Sequence, residues 1–240
     1  MMQSPPPPWG FWSTLAWGTL AGALAVPVAV LVTDWGIAWL FSTHPGRFVR
    51  NDIAFTAGVL VAVAVLAFAA RLAGWPPGAY LGLTRPNARH LIIGVAAVAV
   101  AQAAFFGLLF LSAKGVPTPV QSRLNPTAGL LPVLLPLFTA IVVGPVGEEV
   151  VFRGFLYRGL AASRLGIAGA IAITALAWTA SHYDRSWNYL VASLVFGLIL
   201  GWCRWRSSTT TLTIVLHSQW NLLFAALGIL AEIGWLSDDR

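Results

Sequence analysis

Glu148 and Glu149 stand side by side in Gly147-Glu148-Glu149-Val150-Val151-Phe152-Arg153, at the end of a long apolar run in a chain otherwise poor in charge. Ionised groups in hydrocarbon are costly and persist where they pair, line a wet cavity or do chemistry. On a helix each residue turns about 100°, so Glu149 and Arg153, four apart with the acid first, share a face in the favoured ion-pair order. Glu148 points elsewhere and is left free for a substrate, a water or a metal. The bland alternative is a cluster of snorkelling charges at a helix end. It is weakened by composition, since two of the chain's three glutamates sit together here and the third, Glu232, is remote.

His182 follows the apolar run 171–180, with Trp178 one helical turn before it. Taken alone, a histidine that ends a span reads as interfacial. His217 and Asn221 are four apart on one face of an apolar helix, where unpaired polar groups are expensive. They could donate two hydrogen bonds toward one point, or act as polar glue between helices. His44 and His90 sit beside loop residues and read as ordinary interfacial histidines. Glu148, His182, His217 and Asn221 come from three different spans, as expected when a bundle builds a polar site in its core. A glutamate near a histidine can share the work of deprotonating water, and a histidine with an asparagine can stabilise the oxyanion of a tetrahedral intermediate. That combination reads as hydrolysis of an amide.

The elements that must position these groups are membrane helices. Of the 240 residues 58% are hydrophobic and 9% charged, with a mean hydropathy of +0.78, against roughly 25% charged residues in an ordinary soluble domain. A hydrocarbon core of about 30 Å takes about 20 apolar residues per helical span. Windows at 12–32, 53–73, 91–111, 128–146, 166–181, 189–202 and 211–230 predict an all-α polytopic bundle of about seven spans, six to eight. Pro and Gly clusters at 44–46, 74–78 and 115–126 mark loops between them. The segment 80–86 is expected on the membrane surface, its apolar residues dipping and Arg85 and Arg89 meeting headgroups. The expected division is amino-terminal spans and loops over 1–127, a catalytic core over 128–230 and a polar tail over 231–240. No basic region or small-residue cleavage site precedes the first apolar run, so the first span is read as retained.

With seven spans the loops alternate sides. The amino-terminal side holds Arg71, Arg85, Arg89, Arg153, Arg158, Arg164, Arg204 and Arg206; the other holds Arg47, Arg50, Lys114, Arg123, Arg185 and Arg240. The small excess favours a cytoplasmic amino terminus. The formal charge of +6 therefore points to lipid headgroups, and no aromatic-interleaved basic stripe argues for nucleic acid. Cys203 is the sole cysteine and permits no internal disulfide.

The pattern Glu-Glu-x-x-x-Arg, then aromatic-x-x-x-His, then His-x-x-x-Asn resembles the CAAX protease and bacteriocin-processing family of intramembrane endopeptidases, which includes the Ras-converting enzyme. Here the motifs are Glu148-Glu149 to Arg153, Trp178 to His182, and His217 to Asn221, in order and on apolar segments. The segment 196–202 followed by Arg204 and Arg206 is similar to the family's penultimate span. The resemblance covers roughly 130–225. It implies that Glu148 and His182 activate water, that His217 and Asn221 form the oxyanion site, and that Glu149 with Arg153 orients the helix. One departure is visible, since the second motif usually has Phe where this chain has Trp178. Two cofactor readings stay open: zinc held by Glu148, His182 and His217 with a water in the fourth place, or a metal-free glutamate and histidine site.

The implied partner is a membrane-associated protein or peptide in the lipid bilayer, cut by CAAX-type processing or in bacterial peptide maturation. Lys114 is the only lysine and alanine is abundant, which points to a GC-rich genome and a bacterial plasma membrane. The alternative is a non-catalytic role in the same fold, either self-immunity against a bacteriocin or a membrane scaffold. A proton-relay transporter fits less well, because the polar residues cluster in the second half and no internal repeat is found.

Overall fold

The computed structural model describes residues 8–32, 47–111 and 130–232. They form helices α1 (Phe11–Leu31), α2 (Arg47–Leu72), α3 (Ala88–Leu111), α4 (Leu131–Ala161), α5 (Gly166–Ala180), α6 (Trp187–Ser207) and α7 (Thr210–Glu232), with a single helical turn at Pro77–Tyr80 before α3. No strand occurs among the described residues. Six of the helices are long and apolar enough to cross a membrane, in agreement with an all-α polytopic bundle. The seventh expected span is α5, an apolar helix of 15 residues and so about 22 Å long at 1.5 Å per residue. The loops expected at 44–46 and 115–126 and most of the tail 231–240 lie outside the described residues.

Small residues let these helices approach one another closely, as is common where lipid removes the hydrophobic drive for association. A Cβ on Gly58 of α2 would lie 3.2 Å from the Ala25 carbonyl of α1, while Trp17 and Phe68 meet edge to face at 6.3 Å. The two helices therefore run antiparallel. Gly197 and Gly201 of α6 face Ala175 and Ile171 of α5, a second antiparallel pair. Gly147 packs so tightly on Val59 that an added Cβ would sit 2.7 Å from its methyl, fixing α4 against α2.

The sequence reading ends the fourth span at 146, ahead of the carboxylates. The structure corrects this: α4 runs unbroken from Leu131 to Ala161 and carries Glu148, Glu149 and Arg153 in its interior. A hydropathy window treats these charges as an exit from the membrane, whereas pairing and a cavity accommodate them inside the bundle. The helix is not uniform. It widens to π turns at Thr139–Val143 and Val150–Leu156. Pro145 gives the first a cause: its ring lacks an N–H and crowds the carbonyl four residues back, and a π turn is one of the ways a helix absorbs such a break. Such widened turns often occur at functional sites.

At one end of the bundle the connector between α2 and α3 is clamped. The Arg158 guanidinium donates to the Ala79 and Tyr80 carbonyls at 2.6 Å each and lies 4.3 Å from the Trp75 ring. The Thr210 hydroxyl donates to the Leu81 carbonyl, and the Thr209 hydroxyl to Thr84. Tyr80 and Leu81 are accordingly buried in the protein, which overturns the expectation that 80–86 dips its apolar residues into lipid; Leu83, Thr84 and Arg85 face outward. Burial pushes the Tyr80 phenol up, so it stays neutral while accepting from the Trp9 amide. Gly82 turns through φ +68°, and a Cβ there would meet an Arg204 guanidinium nitrogen at 2.8 Å.

Candidate active site

The two neighbouring glutamates have opposite surroundings. Glu149 is completely buried, and so is Arg153, which donates to it through Nη1 at 2.9 Å. Arg153 Nη2 donates to the Gly197 carbonyl of α6 at 3.2 Å, and its guanidinium stacks 5.1 Å from the Trp178 ring. Arg204, also buried, donates from Nε to the Arg153 carbonyl at 2.9 Å. The pair foreseen from the spacing of four is thus the centre of a polar clasp joining α4 to α6. His217 of α7 extends it, with Nδ1 3.0 Å from the same Glu149 oxygen. An ionised carboxylate can only accept, so His217 Nδ1 carries the hydrogen in this contact.

Glu148 faces the other way. Its side chain keeps 28% of its exposure and lines a cavity of about 380 Å³ with Asn51, Asp52, Phe55, Thr139, Ala140, Gly144, Arg185, Tyr189 and Asn221. One Glu148 oxygen accepts the Trp178 indole N–H and lies 4.0 Å from His217 Nε2. A Cβ at Gly144 would come within 3.8 Å of the other oxygen. His217 therefore stands between the two carboxylates, anchored to Glu149 by one ring nitrogen and presenting the other to Glu148. Phe196 stacks on Trp220 with centroids 4.3 Å apart and meets the His217 ring edge-on at 5.6 Å, walling this side with aromatic surface.

Asn221 lines the cavity one turn beyond His217, as the spacing requires, but its Nδ2 donates to the Ala140 carbonyl at 2.7 Å. Ala140 lies in the first π turn of α4, where the ladder shifts from its usual partners, and the asparagine amide serves the carbonyl there. One N–H and the amide oxygen remain. His182 sits just past the end of α5, half-buried. Its Nδ1 is 2.9 Å from the Trp178 carbonyl and 3.3 Å from the Ser181 hydroxyl, and its ring packs 5.0 Å from Trp178 and 5.9 Å from Tyr189. Nε2 is the nitrogen not engaged by its own helix end. Trp178, the aromatic of the second motif, is the residue that touches Glu148.

The zinc set is not assembled. Among the described residues no three His, Cys, Asp or Glu side chains come together to hold a metal ion, and the Glu148 carboxylate is held by the Trp178 indole. No step below is routed through a metal.

Sequence reasoning missed the contribution of α2 and of the start of α6. Asn51 and Asp52 precede the window assigned to the second span, yet α2 begins at Arg47 and both line the cavity. Arg185 and Tyr189 lie next to His182 and enter the same cavity; polar residues so close to a candidate histidine were the available signal. A second groove of about 280 Å³, almost wholly apolar, lies between α1, α2 and α4 and shares Phe55 and Glu148 with the first.

Comparison with known proteins accords with this geometry. A protein of Escherichia coli described as an uncharacterized 24.3 kDa protein is 26% identical over 209 residues, covering 79% of this chain and 90% of the relative. No solved structure matches the chain. The family model described as type II CAAX prenyl endopeptidase Rce1-like matches residues 129–223, the segment that holds Glu148, Glu149, Arg153, Trp178, His182, His217 and Asn221. Over that segment the chain is similar to the Rce1-like family of type II CAAX prenyl endopeptidases.

Proposed function

We propose that this protein is an intramembrane endopeptidase that hydrolyses a peptide bond in a membrane-associated protein or peptide, with the activity in the core 128–230 and the bacterial plasma membrane as its setting. The observation that carries the reading is the division of labour between two adjacent carboxylates. Glu149 is sealed in an ion pair, whereas Glu148 lines a polar cavity inside an apolar bundle. A carboxylate that no arginine or lysine holds and that opens on a cavity is placed to act as a base.

In the proposed reaction a water in the cavity gives a proton to Glu148 as its oxygen bonds to the substrate carbonyl carbon. The carbonyl oxygen becomes an oxyanion, and the proton passes to the amide nitrogen as the C–N bond breaks. His182, which does not itself line the cavity but packs on the lining residue Tyr189, shares this proton traffic through Nε2. The remaining Asn221 N–H serves as one oxyanion donor. His217 Nε2 serves as the other when both ring nitrogens carry hydrogen. The apolar groove that reaches Glu148 between α1, α2 and α4 suits a substrate that approaches from lipid.

The test is a comparison of peptide termini in host membranes that carry the wild type, Glu148→Gln or His182→Ala at equal abundance. New termini with the wild type alone are expected. Identical termini in all three, with each protein folded and the substrate supply matched, would return the protein to a binding role such as immunity or scaffolding.

A further inference from the structure

A further cavity, of about 200 Å³, lies between α3 and α6 at the clamped end of the bundle and shares no lining residue with the candidate active site. Arg89, His90 and Arg206 line it, over an apolar floor that includes Ile93 and Leu212, with Trp202 beside them. Both arginines are exposed. Neither forms an ion pair with a described carboxylate, in contrast to Arg153. Arg206 only flanks the Trp205 ring at 5.6 Å.

The surroundings sharpen the charge asymmetry. Arg71, Arg85, Arg89, Arg158, Arg164, Arg204 and Arg206 all gather at this end, and none of the described acids lies there. Asp52 and Asp184 are at the opposite end, and Glu148 and Glu149 are inside α4. Trp202 and Trp205 are both about two-fifths exposed, as aromatics at headgroup level commonly are. A cationic rim over an apolar floor, set between two membrane-spanning helices at a surface without acids, matches an amphiphile that carries a negative head. We infer that this cavity binds an anionic phospholipid, with the phosphodiester between Arg89 and Arg206 and an acyl chain along Ile93. Basic recesses between spans on the anionic leaflet bind headgroups in this way. The assignment is independent of the proteolytic reading.

Delipidated protein in neutral detergent, titrated with phosphatidylglycerol or with phosphatidylcholine of the same chains and read by native mass spectrometry, tests it. The wild type is expected to retain one phosphatidylglycerol about tenfold more tightly than phosphatidylcholine. R89Q/R206Q should lose that preference. R71Q/R164Q removes equal charge from exposed positions at the same end and should keep it. Equal retention of the two lipids by the wild type would overturn the inference, as would equal loss in both double variants, which marks diffuse surface charge. Displacement of the lipid by inorganic phosphate alone would also overturn it, in favour of a site for a free anion. Should R89Q/R206Q fail to fold, R206Q at its exposed position carries the same comparison with a smaller change.

Discussion

The sealed clasp around Glu149 and the open cavity around Glu148 begin from identical side chains on adjacent residues, yet they do different work. In the clasp the charged groups bond to one another and to carbonyls, Arg153 to Glu149 and Gly197, Arg204 to the Arg153 carbonyl, His217 Nδ1 to Glu149, while Glu149 Oε2 and Arg153 Nε are buried without a hydrogen-bond partner among the described residues. In the cavity Glu148 has an indole N–H and a histidine at 4.0 Å but no arginine or lysine in salt-bridge contact. A single helical step of about 100° separates the sealed charge from the one we propose is reactive. Burial, not residue type, decides which is which.

The largest expected effect breaks the comparison from the cavity side. Glu148→Gln keeps the shape and the indole contact but removes the base, so turnover on a processed substrate should fall about 10²- to 10⁴-fold while the melting temperature in detergent stays close to that of the wild type. A comparable loss of stability would mean that Glu148 belongs to the clasp. Arg153→Met breaks it from the other side. Removing one partner of a buried pair leaves an uncompensated charge, at a cost of about 3–5 kcal/mol, and should appear as a large drop in melting temperature and in yield of folded protein. Stable folded R153M protein with lost activity alone would reverse the assignment of the two regions.

Much of this contrast was legible in sequence, because the helical period is enough to pair Glu149 with Arg153 and to turn Glu148 away. The same period placed His217 and Asn221 on one face. What sequence could not give depends on contacts between distant segments. The true length of α4 was hidden because a hydropathy window counts charges without knowing that they are neutralised. The burial of Tyr80 and Leu81 was hidden because it rests on Arg158 and Thr210, over 70 residues away in the chain. The three-ligand metal set is likewise not assembled among the described residues: residue types compatible with zinc do not fix the distances between side chains on separate helices.

Asn221 belongs to both regions and can be used to sharpen the line between them. Asn221→Ala removes the donor to the Ala140 carbonyl, costing about 1 kcal/mol of stability, and also an oxyanion donor, whose loss lowers kcat about 10²-fold or more. Asn221→Asp separates the two functions only weakly, since an ionised carboxylate donates neither bond. It should therefore match the alanine variant in both assays. An active, destabilised N221A would confine the residue to holding the π turn.

Trp178 carries the smallest predicted effect and the finest test, because it is where this chain departs from the aromatic usual in the motif. Phenylalanine has nearly the same place to fill against Phe196 and His217, but it has no N–H to give to Glu148. If the indole merely packs, Trp178→Phe changes stability and turnover little. If its N–H fixes the carboxylate for attack, kcat should fall about tenfold, the size of a hydrogen bond to a charged group, with KM unchanged. Melting should shift only slightly, since the Arg153 guanidinium still has an aromatic face beside it. Combining Trp178→Phe with Glu148→Gln then decides between these outcomes. A positioning indole adds nothing once the base is gone, so the double variant should turn over no more slowly than E148Q alone, whereas an indole that acts through the clasp should lower stability by the same increment in either background.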